Sequence, residues 1–213
     1  MTLAINSIAA RAQCTGSRGV FLIYLCVLTG CAQPGASVRS AVYDFGPGAV
    51  SAAPASPARA PAPLAPLLIT EIESSPALDS TAVLYRLAYA DAQQLQAYAH
   101  ARWSMTPAQL LRQRLRDSPG SHRSNPQPAL TLHLELEEFS QLFDTPTTSV
   151  GLLRLRASVT QTRPDGEKWL AQRTFTVQRP APSADAPGGV RALTAATDAA
   201  VRELDDWLRT LAP

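Results

Sequence analysis

Few side chains in this 213-residue sequence are equipped for covalent or acid–base chemistry. The histidines are His100, His122 and His133, far apart and in three different expected elements. A histidine alone in a loop or on a wet strand face has no second metal ligand and no nucleophile beside it. Glu137 and Glu138 are adjacent. In a regular strand neighbours point to opposite faces, so this pair would not form a general acid/base dyad by itself. No Gly-x-Ser-x-Gly, Walker loop, His-Glu-x-x-His or Cys-x-x-Cys pattern follows residue 30. The expectation is a non-enzyme with no catalytic, metal or cofactor-binding residues. One thiol stands apart. Cys31 closes the run Leu28-Thr29-Gly30-Cys31, and a thiol in that setting can take a diacylglyceryl group before the chain is cut on its N-terminal side.

The elements that would present Cys31 are laid out before it. Val20 to Leu28 is an unbroken apolar run of nine residues, Arg11 and Arg18 precede it, and no acidic residue does. This is the order of a signal peptide: basic flank, apolar segment, small residues at the cleavage site. The tetrad resembles the lipobox of bacterial lipoproteins. A transmembrane helix needs ~20 apolar residues, so this run is too short to span. A plain cleaved signal and a buried core helix are the competing readings. On the lipoprotein reading residues 1–30 leave, and Cys14 and Cys26 leave with them. Cys31 is then the lipidation site, carrying acyl chains such as palmitate, and the mature chain has no disulfide. Residues 31–41 read as a tether, of which ten residues reach at most about 33 Å. Ala32, not Asp, follows the cysteine, which predicts the outer membrane, facing the periplasm of a bacterial envelope.

Charge excludes one class of partner. Removing residues 1–30 leaves seventeen basic and seventeen acidic side chains. A neutral surface has no electrostatic footprint for nucleic acid. Residues 46–66 hold six prolines and almost no large apolar side chain, so they read as a disordered Pro/Ala-rich loop inside a domain of residues 42–213.

The rest of the domain shows clear periodicities. Val42 to Phe45 reads as a short edge strand, Leu67 to Glu73 and Ala82 to Ala88 as strands, and Asp91 to Trp103 as a strand in competition with a capped helix. Thr106-Pro107-Ala108-Gln109 is a capping box with proline at the first helical position. Ala108, Leu111 and Leu115 then share a face as far as Arg116. Ala129 to Glu137 alternates, with Leu130, Leu132, Leu134 and Leu136 on one side. Leu153, Leu155, Ala157 and Val159 do the same in the next strand, where Arg154 or Arg156 would pair with Glu135 or Glu137. A turn at Arg163 to Glu167 leads into Lys168 to Gln178, with Trp169, Phe175 and Val177 on it. After a loop at Pro180 to Gly189, a helix from Val190 to Leu211 turns Leu193, Ala200, Leu204, Trp207 and Leu208 to one side. Its other side carries Asp198, Arg202, Asp205 and Arg209, expected to pair as Asp198–Arg202 and Asp205–Arg209. Trp103, Trp169 and Trp207 read as core or core-edge residues. The fold class is α+β: a mostly antiparallel sheet with about two helices packed on one face.

Several blocks in this order resemble a known family: Val42-Tyr43-Asp44-Phe45-Gly46 after Cys31, then LLITEIESSPALDSTAVLYRL, AYAHARWSMTPAQLLRQRL and LHLELEEFSQLFDTPTTSVGLLRLRASV, and a closing helix with Trp207-Leu208. The chain is similar to the ABC-type transport auxiliary lipoproteins, the partners of MCE-type lipid transport systems. It departs from their pattern at Asp44 and Gly46 and in the long insertion after Phe45. The resemblance implies a membrane-anchored accessory protein that works with an MCE-domain protein and an ABC permease and ATPase to move phospholipid or other hydrophobic cargo. It implies no catalytic residue, and Cys31 is the only residue it assigns a role. A homo-oligomer stays open. The competing functions are a structural lipoprotein of outer-membrane or cell-wall assembly and a lipoprotein hydrolase.

Overall fold

The computed structural model describes residues 39–47, 67–117, 130–164 and 166–211. The signal peptide, most of the tether with Cys31, nearly all of the Pro/Ala-rich loop and the segment carrying His122 lie outside the described residues. The elements in order are β1 (Ala41–Tyr43), β2 (Leu67–Ser74), β3 (Ala82–Leu87), β4 (Asp91–Trp103), α1 (Pro107–Asp117), β5 (Leu130–Thr145), β6 (Thr148–Arg163), β7 (Gly166–Pro180) and α2 (Ala186–Leu211). Asp91 to Trp103 is a strand, and β1 begins at Ala41, so the chain joins the sheet at the last residue assigned to the tether.

The seven strands form one mixed sheet in the order β1-β4-β3-β5-β6-β7, with β2 also on β5. The hub is β5. Its first half pairs in parallel with β2 and its second half in parallel with β3, so the two short strands share one flank of one long strand. The other flank of β5 carries the antiparallel meander β5-β6-β7, which holds the longest ladders. The remaining pairs are β3–β4, antiparallel, and β1–β4, parallel.

The core follows from the alternation. Leu132, Leu134, Leu136, Leu153, Leu155, Ala157 and Val159 are all buried on the face that α2 covers. A bulge in β5 between Leu136 and Glu138 resets the phase, so Phe139, Gln141 and Phe143 continue the inward row. The backbone of α2 lies directly on β6 at Gly151. A Cβ there would stand 2.6 Å from the Ala192 carbonyl carbon and the Leu193 nitrogen, so only glycine fits.

Both helices start at side-chain caps. In α1 the Thr106 N–H donates to Gln109 Oε1 (3.1 Å) and the Gln109 N–H to Thr106 Oγ1 (3.4 Å), the reciprocal pair of a capping box. Helix α2 begins one turn earlier than its periodicity suggested. Asp185 Oδ1 accepts from the Gly188 N–H (2.8 Å), which brings Gly188 and Gly189 into the helix despite their low propensity. One expected pair is replaced: Asp198 binds Arg114 of α1 (3.1 Å) in place of Arg202, while Arg209 binds Asp206 (2.8 Å). Asp205, expected on the wet side, is buried; it lies two turns from Asp198 on the same stripe.

Candidate functional site

The leading strand is fastened to the domain at Phe45. Its ring meets Trp103 edge-on at 5.6 Å between centroids and Phe139 at 6.0 Å. Arg114 donates to the Phe45 carbonyl, sets its guanidinium 5.8 Å from the Phe45 ring, and pairs with Asp198. One cation thus joins β1, α1 and α2. After Phe45 the Gly46 N–H donates to Asp44 Oδ1 (2.8 Å), and Gly46 adopts φ 65°, which suits glycine. Two open clefts flank this joint. One, about 450 Å³, runs between residues 42–46 and the Val190–Asp198 side of α2. The other, about 210 Å³, lies toward Met105, Leu110 and Gln113. Neither brings a nucleophile to a base.

A second cluster is polar and internal. The Tyr98 hydroxyl donates to Gln141 Oε1 (2.9 Å), and Gln141 Nε2 donates to Ser149 Oγ (2.7 Å). The Tyr85 ring lies 4.6 Å from that of Tyr98, and its hydroxyl donates to Gln96 (2.7 Å). Burial, then Tyr85, then Asp185 push the Tyr98 phenol up to about 12. A phenol held in its neutral form donates a hydrogen bond and does not act as a base near neutral pH. Gly189 makes room for this network, since a Cβ there would fall 2.0 Å from Gln141 Oε1. Sequence reading missed it, because Tyr98, Gln141 and Ser149 come from three separate strands and carry no local motif.

The open face of the sheet carries the remaining charges. Arg156 pairs with Glu135 (3.2 Å) and with Glu137, as expected for one of the two arginines. Glu138 pairs with Arg86 of β3 (3.2 Å). The bulge at this point turns Glu137 and Glu138 to the same face, which corrects the expectation that they diverge. Each meets an arginine, so they remain ion-pair partners and not an acid/base dyad. His100 and His133 are exposed on different strands, and His133 Nδ1 lies 3.5 Å from Thr70 Oγ1. Among the described residues no group of three or more His, Cys, Asp or Glu could hold a metal ion.

The tryptophans divide. Trp103 and Trp207 are buried, but Trp169 is 60% exposed, which overturns its assignment to the core. A bulge between Val159 and Thr160 in the β6–β7 register places Trp169 beside Thr160, on the open face.

The family model of the ABC-type transport auxiliary lipoprotein component matches residues 47–205. The chain belongs to this family. The auxiliary lipoprotein domain is therefore a transport component and not an enzyme class, and the family name ties it to an ABC transporter and to a membrane-anchored place in the envelope. Among solved structures, a Xanthomonas campestris protein of the DUF330 family matches with a TM-score of 0.61 at 22% identity, over 71% of this chain and 90% of that one. An uncharacterized protein matches with a TM-score of 0.54 at 14% identity, over 80% of this chain and 99% of that one. Both share the fold. Comparison with curated proteins gave no match. Among the described residues no helix is long and apolar enough to cross a membrane.

Proposed function

We propose that this auxiliary lipoprotein serves an MCE-type system that moves phospholipid or other hydrophobic cargo across a bacterial envelope. The family match over residues 47–205 carries the reading. In it, residues 1–30 are the signal peptide, Cys31 is the lipidated first residue of the mature chain, and residues 31–41 lead to β1. Ala32 after the cysteine favours the outer membrane, with the domain facing the periplasm. The partners are an MCE-domain protein and the permease and ATPase of the transporter.

The test is purification of the lipidated protein from its own envelope in mild detergent. An MCE-domain protein and an ABC permease should come with it in fixed ratio. Recovery of peptidoglycan or of an outer-membrane assembly complex, with no transporter subunit, would refute the reading.

A further inference from the structure

We infer that the outer edge of β7 is a strand-addition site for an extended acidic segment of a partner protein. The inference stands whichever transporter the lipoprotein serves. The strand β7 ends the sheet, and among the described residues nothing pairs with its outer edge. Fourteen of its residues are registered against β6, from Gly166 to Pro180, with one bulge at Leu170, so the edge from Ala171 to Pro180 is ordered by a continuous ladder on its other side. An edge of this kind leaves a row of backbone N–H and C=O groups unpaired, which another chain can take up. Helix α2 covers one face of the meander and leaves the edge open.

Charge chooses the occupant. The edge strand carries Lys168, Arg173 and Arg179 against the single acid Glu167. The mature chain as a whole is neutral, so this strand is a local cationic excess. Two copies of β7 placed edge to edge would set cation against cation, which disfavours self-pairing. An acidic strand meets the opposite condition. The guanidinium of Arg173 is already held, 5.0 Å from the Phe175 ring, so ordering it for a partner costs little side-chain entropy.

Trp169 gives the edge an aromatic anchor. It lies in one rung of the open face with Thr160, Thr131 and Leu68, and Leu68 is also exposed. Lys168, Arg173 and Arg179, registered against Gln161, Ala157 and Gly151, lie on the other face of the strand, so an alternating segment can set apolar side chains on Trp169 and acids on the cations. A bilayer offers no ladder of backbone groups, and a protein segment does.

The experiment uses the full lipidated chain in detergent micelles at low salt. The probe is a dye-labelled ten-residue peptide of alternating valine and glutamate. Its anisotropy should rise saturably. The acrylamide-quenchable tryptophan emission should fall on binding, because Trp103 and Trp207 are buried and the quenchable signal belongs to Trp169. Trp169→Ala should weaken binding about tenfold, and the double change Lys168→Glu with Arg173→Glu should transfer preference to a valine–lysine peptide. The acidic peptide N-methylated at alternate residues should not bind. Absence of saturable binding, equal binding of acidic and basic peptides, or indifference to either variant or to N-methylation would overturn the inference. So would protection of Trp169 by phosphatidylglycerol vesicles but not by peptide, or self-association that the charge reversal abolishes.

Discussion

At the residue scale, Tyr98 links packing to pH. Its phenol is raised to about 12, chiefly by burial, while the unfolded chain would ionise it near 10. A group raised in the fold stabilises it fully below the unfolded value and ceases to do so as pH rises through the folded one. Stability should therefore fall between about pH 10 and 12, and Tyr98→Phe should flatten that part of the profile in urea titrations at stepped pH. Near neutral pH the same change should cost about 1–3 kcal/mol, because Gln141 Oε1 stays buried without its donor. Residue-level burial was legible where alternation runs unbroken, as in Leu132 to Leu136, although Thr131 just before it, on the face expected to be wet, is buried. It failed at Trp169. Counting by twos from Phe175 puts Trp169 inward, but the bulge adds Leu170 to the strand and turns Trp169 out. A bulge shifts the phase without a mark in composition, and the same event hid the shared face of Glu137 and Glu138. The lipidation proposed for Cys31 rests on a local motif that lies outside the described residues.

At the element scale, α2 depends on its cap and on one glycine beneath it. Hydrogen bonds from Ser183 and then from the Gly188 N–H, with a smaller pull from Arg191, lower the Asp185 carboxyl below its usual value. A lowered carboxyl stabilises the fold above the unfolded value and loses that contribution as pH falls through the folded one. Asp185→Ala should cost about 1 kcal/mol, read as a drop in Tm of roughly 2–4 °C at neutral pH for a domain of this size. The deficit should vanish in acid. Gly151→Ala presses a methyl group into the backbone of Ala192 and Leu193 and should cost about 1–3 kcal/mol, since neither sheet nor helix can yield cheaply. The start of α2 was misread because Gly188-Gly189 resembles a loop; packing against Gln141 and the Asp185 cap override that preference. The capping box of α1 was legible because all its partners lie within four residues.

At the scale of the whole molecule, the three parallel ladders and the sharing of β5 by β2 and β3 had no signature in the sequence. Such pairings join segments up to 63 residues apart, as Leu67 joins Leu130, and periodicity reports only a strand's own faces. The layered α+β class was legible because amphipathic alternation and one long amphipathic helix demand it. The attachment of the whole domain yields a sharp test of the proposed anchor. The described residues from Arg39 onward hold their own core, and the Phe45 joint fixes β1 to α1 and α2. Loss of the lipid should therefore leave the fold intact. Each buried CH₂ of an acyl chain contributes ~0.8 kcal/mol, so stable anchoring takes more than one chain, and a neutral mature surface adds no attraction to anionic lipid. Cys31→Ala should consequently stop incorporation of labelled palmitate and remove the anchor. A signal cut behind position 31 or 32 in that variant should release the domain to the soluble fraction without a salt wash. Its thermal unfolding should match that of the detergent-solubilised parent to within about 0.5 kcal/mol. Continued membrane retention with the signal removed would place the anchor elsewhere in the chain, and a large loss of stability would mean that the leading segment belongs to the core.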